Sequence, residues 1–157
     1  MSQHSQDIRL VTASREIAAP AETIFELIAD PAQQPRWDGN DNLAEAAPGQ
    51  RVRARGDVFV MTNQNGGVRD NHIVAFREGR EIAWRPAPHG EQPAGHQWGW
   101  ELEPLADGTT LVTHVYDFSA LPAEQEKRLA KARLMTPEKL MASIDRLAAL
   151  AEKGGDS

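Results

Sequence analysis

Apolar residues recur along this chain with two different periods, and the switches between them divide it into elements. Residues 9–17 are rich in Val, Thr and Ile and predict a strand. Pro20 stands where a helix opens, since a missing N–H costs nothing in a first turn, and Ile24, Phe25, Leu27 and Ile28 follow at helical spacing. Asp30-Pro31 ends that helix and starts a short second one reaching Trp37, before the turn-rich break at residues 38–42. From 51 to 62 the pattern alternates. Val52, Ala54, Val58, Val60 and Thr62 are expected inside and Arg51, Arg53, Arg55 and Asp57 outside, with Gly56 marking a bulge. Asn63-Gln64-Asn65-Gly66-Gly67 is a strong turn, and residues 68–76 and 80–87 predict a hairpin closed around Glu78-Gly79.

A Pro/Gly loop at 89–95 leads to two further strands, 96–104 and 109–118, joined by Ala106-Asp107-Gly108. The last third is helical: a segment over 123–134, then a restart at Thr136-Pro137-Glu138 with Thr as N-cap and Pro at the first helical position. Leu140, Met141, Ile144, Leu147, Ala148 and Ala151 lie on one face of that last helix. Strands grouped apart from helices predict an α+β fold rather than alternating α/β. The 157 residues fit one domain, with 1–7 and 153–157 as loose tails.

The pair of strands at 96–118 is the most informative part of the chain. Side chains alternate faces along a strand, so His96, Trp98, Trp100 and Leu102 share one face, and Val112, His114, Tyr116 and Phe118 share another. A three-residue loop with Gly108 left-handed pairs Leu105 with Thr109. Counting back sets Leu102 opposite Val112, Trp100 opposite His114, Trp98 opposite Tyr116 and His96 opposite Phe118. Both sets then point the same way. Aromatic rings interleaved with histidines suit a cavity wall better than a solid core of Val, Ile and Leu. The neighbouring hairpin is open to two readings. A loop of Arg77-Glu78-Gly79 turns Asp70 and His72 inward; a two-residue turn at Glu78-Gly79 turns Asn71 and Ile73 inward instead.

Composition narrows the chemistry. A net charge of −6, with 40% hydrophobic and 25% charged residues, is ordinary for a water-soluble domain and gives no basic stripe for nucleic acid or an anionic membrane. With no cysteine there is neither disulfide nor thiolate catalysis. No apolar run suits a signal peptide or a membrane span, so a cytoplasmic location is the expectation. Asp70-x-His72 is the only close pairing of metal-ligand types, and no Gly-rich phosphate loop is present, so neither metal nor cofactor is expected. His4 and His89, in a tail and a loop, carry no signal, and Trp37 is expected to anchor the second short helix.

Three stretches together resemble a known superfamily. They are Arg15-Glu-Ile-Ala-Ala-Pro-Ala-Glu-Thr-Ile-Phe-Glu-Leu-Ile-Ala-Asp30 with Trp37 downstream, Ile82-Ala-Trp84-Arg85, and Trp98-x-Trp-x-Leu102 followed by Asp107-Gly-Thr-Thr110. They are similar to the START/SRPBCC superfamily, the birch-pollen-allergen-like helix-grip proteins, and most of all to its polyketide cyclase/dehydrase-like branch. The resemblance covers residues 9–152. It implies a curved antiparallel sheet of six to seven strands wrapped on the long C-terminal helix, with two short helices after the first strand. A deep cavity for hydrophobic ligands is implied between them. Members range from carriers to aromatase/cyclases and hydrolases without a shared catalytic motif, so the fold alone does not name the reaction.

The leading expectation is a domain that binds a small hydrophobic or aromatic molecule, as carrier, sensor or tailoring protein. Trp84, Trp98, Trp100, Phe118, His72 and His96 are the expected ligand contacts from the sheet, and Met141 and Ile144 those from the helix. The alternative is a cyclase/dehydratase-type enzyme in which His114, helped by Tyr116, moves a proton. A third is a protein-interaction module working through an outer face that carries Arg51, Arg53 and Arg55. No feature of the sequence assigns an oligomeric state.

Overall fold

The computed structural model describes residues 9–154; His4 and residues 1–7 lie outside them, as do 155–157. The chain runs β1 (Leu10–Ile17), α1 (Ala21–Ala29), a single 3-10 turn (Pro31–Gln33), α2 (Gln34–Trp37), β2 (Leu43–Glu45), β3 (Val58–Asn63) and β4 (Val68–Arg77). It continues through β5 (Glu81–Pro88), β6 (Gln97–Pro104), β7 (Thr110–Asp117), α3 (Glu126–Ala132) and α4 (Pro137–Gly154). All seven strands form one antiparallel sheet in the order β1-β7-β6-β5-β4-β3-β2. The fold is α+β, as the grouping of periods predicts.

Helix α4 starts where the Thr136 side chain accepts a hydrogen bond from the Lys139 N–H at 3.2 Å. It runs unbroken to Gly154, past the point where the sequence suggests fraying. Leu140, Ile144, Leu147, Ala148 and Ala151 are all buried on its sheet side, against β1 and β7. Each large side chain there contributes about 1.5–3 kcal/mol of apolar burial. Met141 is only half-buried, on the flank.

Register decides the inward face of two hairpins. The β6–β7 pair has the expected one: Trp98 faces Tyr116, Trp100 faces His114 and Leu102 faces Val112. The Leu105 N–H donates to the Thr109 carbonyl at 2.9 Å, and Gly108 holds φ +86°. In the β4–β5 hairpin neither simple loop forms. Arg77 pairs with Glu81, so Glu78, Gly79 and Arg80 make the loop, and a bulge between Ile73 and Ala75 then shifts the register. Ile73 comes opposite Trp84, so Asn71 and Ile73 point inward and His72 points out.

The strand expected over 51–62 is corrected as well. Residues 54–57 make a tight turn, with the Asp57 carboxylate accepting from the Arg53 and Ala54 N–H groups. This turn docks on β4 through the Gly56 N–H to Ile73 carbonyl bond and the Ile73 N–H to Asp57 carbonyl bond, both 2.9 Å. The turn restarts the alternation. Val52 remains buried, but Phe59 and Met61 become the inward residues of β3, and Val58 is 48% exposed.

Candidate functional site

Between the concave face of β3–β7, the 38–43 loop, α3 and the start of α4 lies a cavity of about 700 Å³. That is within the range of sites for drug-sized molecules. Its inner wall is aromatic: Trp84 from β5, Trp98 from β6 and Tyr116 from β7. Trp98 and Tyr116 are neighbours across the β6–β7 ladder, their ring centroids 4.5 Å apart. Trp84 is braced edge-on by Phe59 at 5.4 Å. Burial pushes the Tyr116 phenol up to about 12, so it is a neutral hydroxyl at physiological pH.

His114 lies deeper in the same wall. Its ring stacks on Trp100 at 3.7 Å with 11° between planes, and its Nδ1–H donates to the Gly99 carbonyl at 2.8 Å. A carbonyl only accepts, so this bond fixes the tautomer and leaves Nε2 with the lone pair. Burial holds the imidazole pKa down at about 4, against the smaller opposing effect of the Gly99 hydrogen bond. His114 is therefore neutral near pH 7. His96, immediately before β6, also lines the cavity, and its pKa is pushed down to about 4, first by burial and then by Arg128, Lys131 and Arg69. Its Nδ1 has no hydrogen-bond partner among the described residues.

The loop after α2 frames the opposite side. The Asp38 carboxylate accepts from the N–H groups of Asn40, Asn42 and Leu43 at 2.6–3.1 Å. Gly39 donates to the Ser143 hydroxyl at 3.0 Å, and a Cβ there would stand 2.4 Å from the Ala142 carbonyl carbon. Only glycine lets this loop lie so close to α4. Trp37 closes the corner, its indole N–H on the Leu27 carbonyl at 2.8 Å and its ring edge-on to Trp100. It anchors α2 as expected and also reaches the cavity wall.

Five of the expected ligand contacts lie elsewhere. Trp100 is fully buried behind His114, and Phe118 is buried beneath Tyr116; both are solid core. Ile144 faces the sheet inside that core, and Met141 lies on the flank of α4, neither on the cavity lining. His72 is turned to the outer face by the β4 bulge. The cavity meets α4 through Lys139 and Ser143, which share a face rotated about 100° from the buried stripe of Leu140 and Ile144. Sequence reasoning missed Met61, Asn71, Arg69, Arg128 and Lys131 as lining residues. Asn71 was legible in the second reading of its hairpin; the two α3 cations carry only a helical i, i+3 spacing.

Of the three outer arginines, Arg53 and Arg55 are exposed at the 54–57 turn and Arg51 is held apart from them. Arg51 is clamped between Glu26 at 2.9 Å and Glu78 at 2.7 Å and lies over the Phe25 ring, so it ties α1 to the β4–β5 loop. Among the described residues no group of three or more histidine or acidic side chains could hold a metal ion, and no helix is long and apolar enough to cross a membrane.

A family model described as "Polyketide cyclase / dehydrase and lipid transport" matches residues 9–152. The chain belongs to this family. Its seven-stranded sheet closed by a long C-terminal helix recurs in solved structures. A Mesorhizobium loti protein superposes with a TM-score of 0.65 at 18% identity, covering 92% of this chain and 98% of that one. A Mycobacterium smegmatis protein gives 0.64 at 22% identity, covering 94% of each chain. A protein in the dynemicin biosynthetic locus gives 0.62 at 20% identity, covering 94% of this chain and 48% of that one. At these identities the likeness speaks for the fold. An uncharacterized Mycobacterium tuberculosis protein is 27% identical over 120 residues, which is 72% of this chain and 49% of that protein. The chain thus spans about half the length of the curated relatives it matches.

Proposed function

We propose that this family member binds a small hydrophobic or aromatic molecule in the cavity, as carrier, sensor or tailoring protein. The observation that carries this reading is a space of about 700 Å³ walled on one side by Trp84, Trp98 and Tyr116. Flat rings stack on such a wall, and the indole and phenol edges can hold an oxygen. The family description, with its reference to lipid transport and polyketide chemistry, points to the same ligand class. A thermal-shift screen against polycyclic aromatic and polyketide-like compounds tests it. A ligand at 100 times its Kd adds about 2.7 kcal/mol and raises Tm; no shift with any apolar compound would count against cavity binding.

One observation favours a second reading, cyclase/dehydratase-type chemistry. His114 is locked in the tautomer that presents Nε2 as a base, and the Tyr116 hydroxyl lies on the same wall. Its depressed pKa makes it a weak proton acceptor, so binding remains the primary reading. The two readings separate on His114→Gln. A binding protein changes affinity modestly, whereas an enzyme loses about 100-fold or more in turnover.

A further inference from the structure

Cations outnumber acids four to one on the lining of the cavity. Arg69 of β4, Arg128 and Lys131 of α3 and Lys139 of α4 all lie on its lining. The one acid there, Asp38, spends its carboxylate on three backbone N–H groups of its own loop. None of the four cations forms an ion pair with a described residue. This happens in a chain with 23 acids against 17 Lys and Arg. Unpaired cations gathered at one concave opening of an acidic protein create a local positive field that its overall charge does not predict. The His96 ring sits within that field, with Arg128, Lys131 and Arg69 all acting on it. Amides of Asn42, Asn63 and Asn65 add neutral donors around the same opening.

We infer that the cavity selects a flat apolar molecule bearing an anionic group, its rings against Trp84, Trp98 and Tyr116 and its anion at Arg69, Arg128 and Lys131. This rests on the ligand-binding reading above and narrows its ligand class. The aromatic wall lies inside and the cations lie at the opening, so the ligand enters ring-first and its charge stays at the rim. There the guanidinium groups offer paired N–H donors to a carboxylate, phosphate or sulfonate.

Two fluorescent probes share one ring system and differ in charge: anilinonaphthalene sulfonate and neutral N-phenylnaphthylamine. Both are titrated against the intact chain and against the double variant Arg128→Glu, Lys131→Glu, whose side chains are exposed on α3. The expected result is that the sulfonate binds at least about tenfold tighter than the neutral probe. That preference should shrink as salt rises from about 50 to about 500 mM and collapse in the double variant. Equal affinities for the two probes, or a preference indifferent to charge reversal, would overturn the inference while leaving cavity binding in place. If neither probe binds, the cavity reading itself fails and the inference goes with it.

Discussion

The stacked pair Trp100–His114 sets what each inner residue can do. Trp100 is 0% exposed and braced by Trp37, so it supports the site without touching its contents. Trp98, one pair along the ladder, reaches the cavity. Substituting each by alanine should therefore split stability from affinity. Trp100→Ala should cost about 3–5 kcal/mol in urea unfolding. Trp98→Ala should cost less stability but weaken an aromatic ligand by about tenfold, measured by fluorescence titration. His114 gives a pH signature. Unfolded, it takes up its proton near 6.5; folded, only near 4. Between those values the unfolded chain binds more protons, so the stability it contributes is complete above pH 6.5 and is lost as pH falls to 4. The loss is at most on the order of 3 kcal/mol. His114→Gln should flatten the dependence of the urea midpoint over that window, leaving the part due to His96. An unchanged pH slope would show that His114 titrates normally.

At the scale of elements, the chain announced most of its parts and mistook some of their phases. Both aromatic strands, the Thr136 cap and the β6–β7 register were legible because a three-residue glycine loop and a hydrophobic face agreed on one alignment. The β4 register was not. A bulge at Val74 has no residue signature of its own, yet it decides whether His72 or Asn71 faces inward. The same holds for β3, where a turn within an apparently continuous alternation moved Val58 outside. Loop contacts were also hidden from the sequence, and Gly39 is the sharpest of them. Gly39→Ala should push the 38–43 loop off α4 and cost about 1–3 kcal/mol, read from thermal unfolding. Arg51→Ala should remove the tie between α1 and the β4–β5 loop. Its carboxylate partners are largely exposed, so the expected cost is below about 1 kcal/mol and should diminish in high salt.

The whole molecule divides its labour between two ends of one sheet. Where α4 lies flat on β1 and β7, apolar contacts are dense and the core is filled. Where α3 and the start of α4 stand away from β4–β6, the rings meet open space instead. The sequence showed that aromatic and imidazole groups would share a face, and it showed the family. It could not show which face of α4 meets the hollow, because that depends on loops packing 99–108 residues away in the chain. This is why Met141 and Ile144 were expected at the site and Lys139 and Ser143 were found there.

The division can be read from the indole N–H signals of the four tryptophans in a nitrogen-15 correlation spectrum. During titration with neutral N-phenylnaphthylamine, the Trp84 and Trp98 signals should move furthest and saturate together, while Trp100 moves least. No saturable movement at Trp84 and Trp98, or changes confined to outer-face groups such as His72, would contradict a ligand-binding cavity.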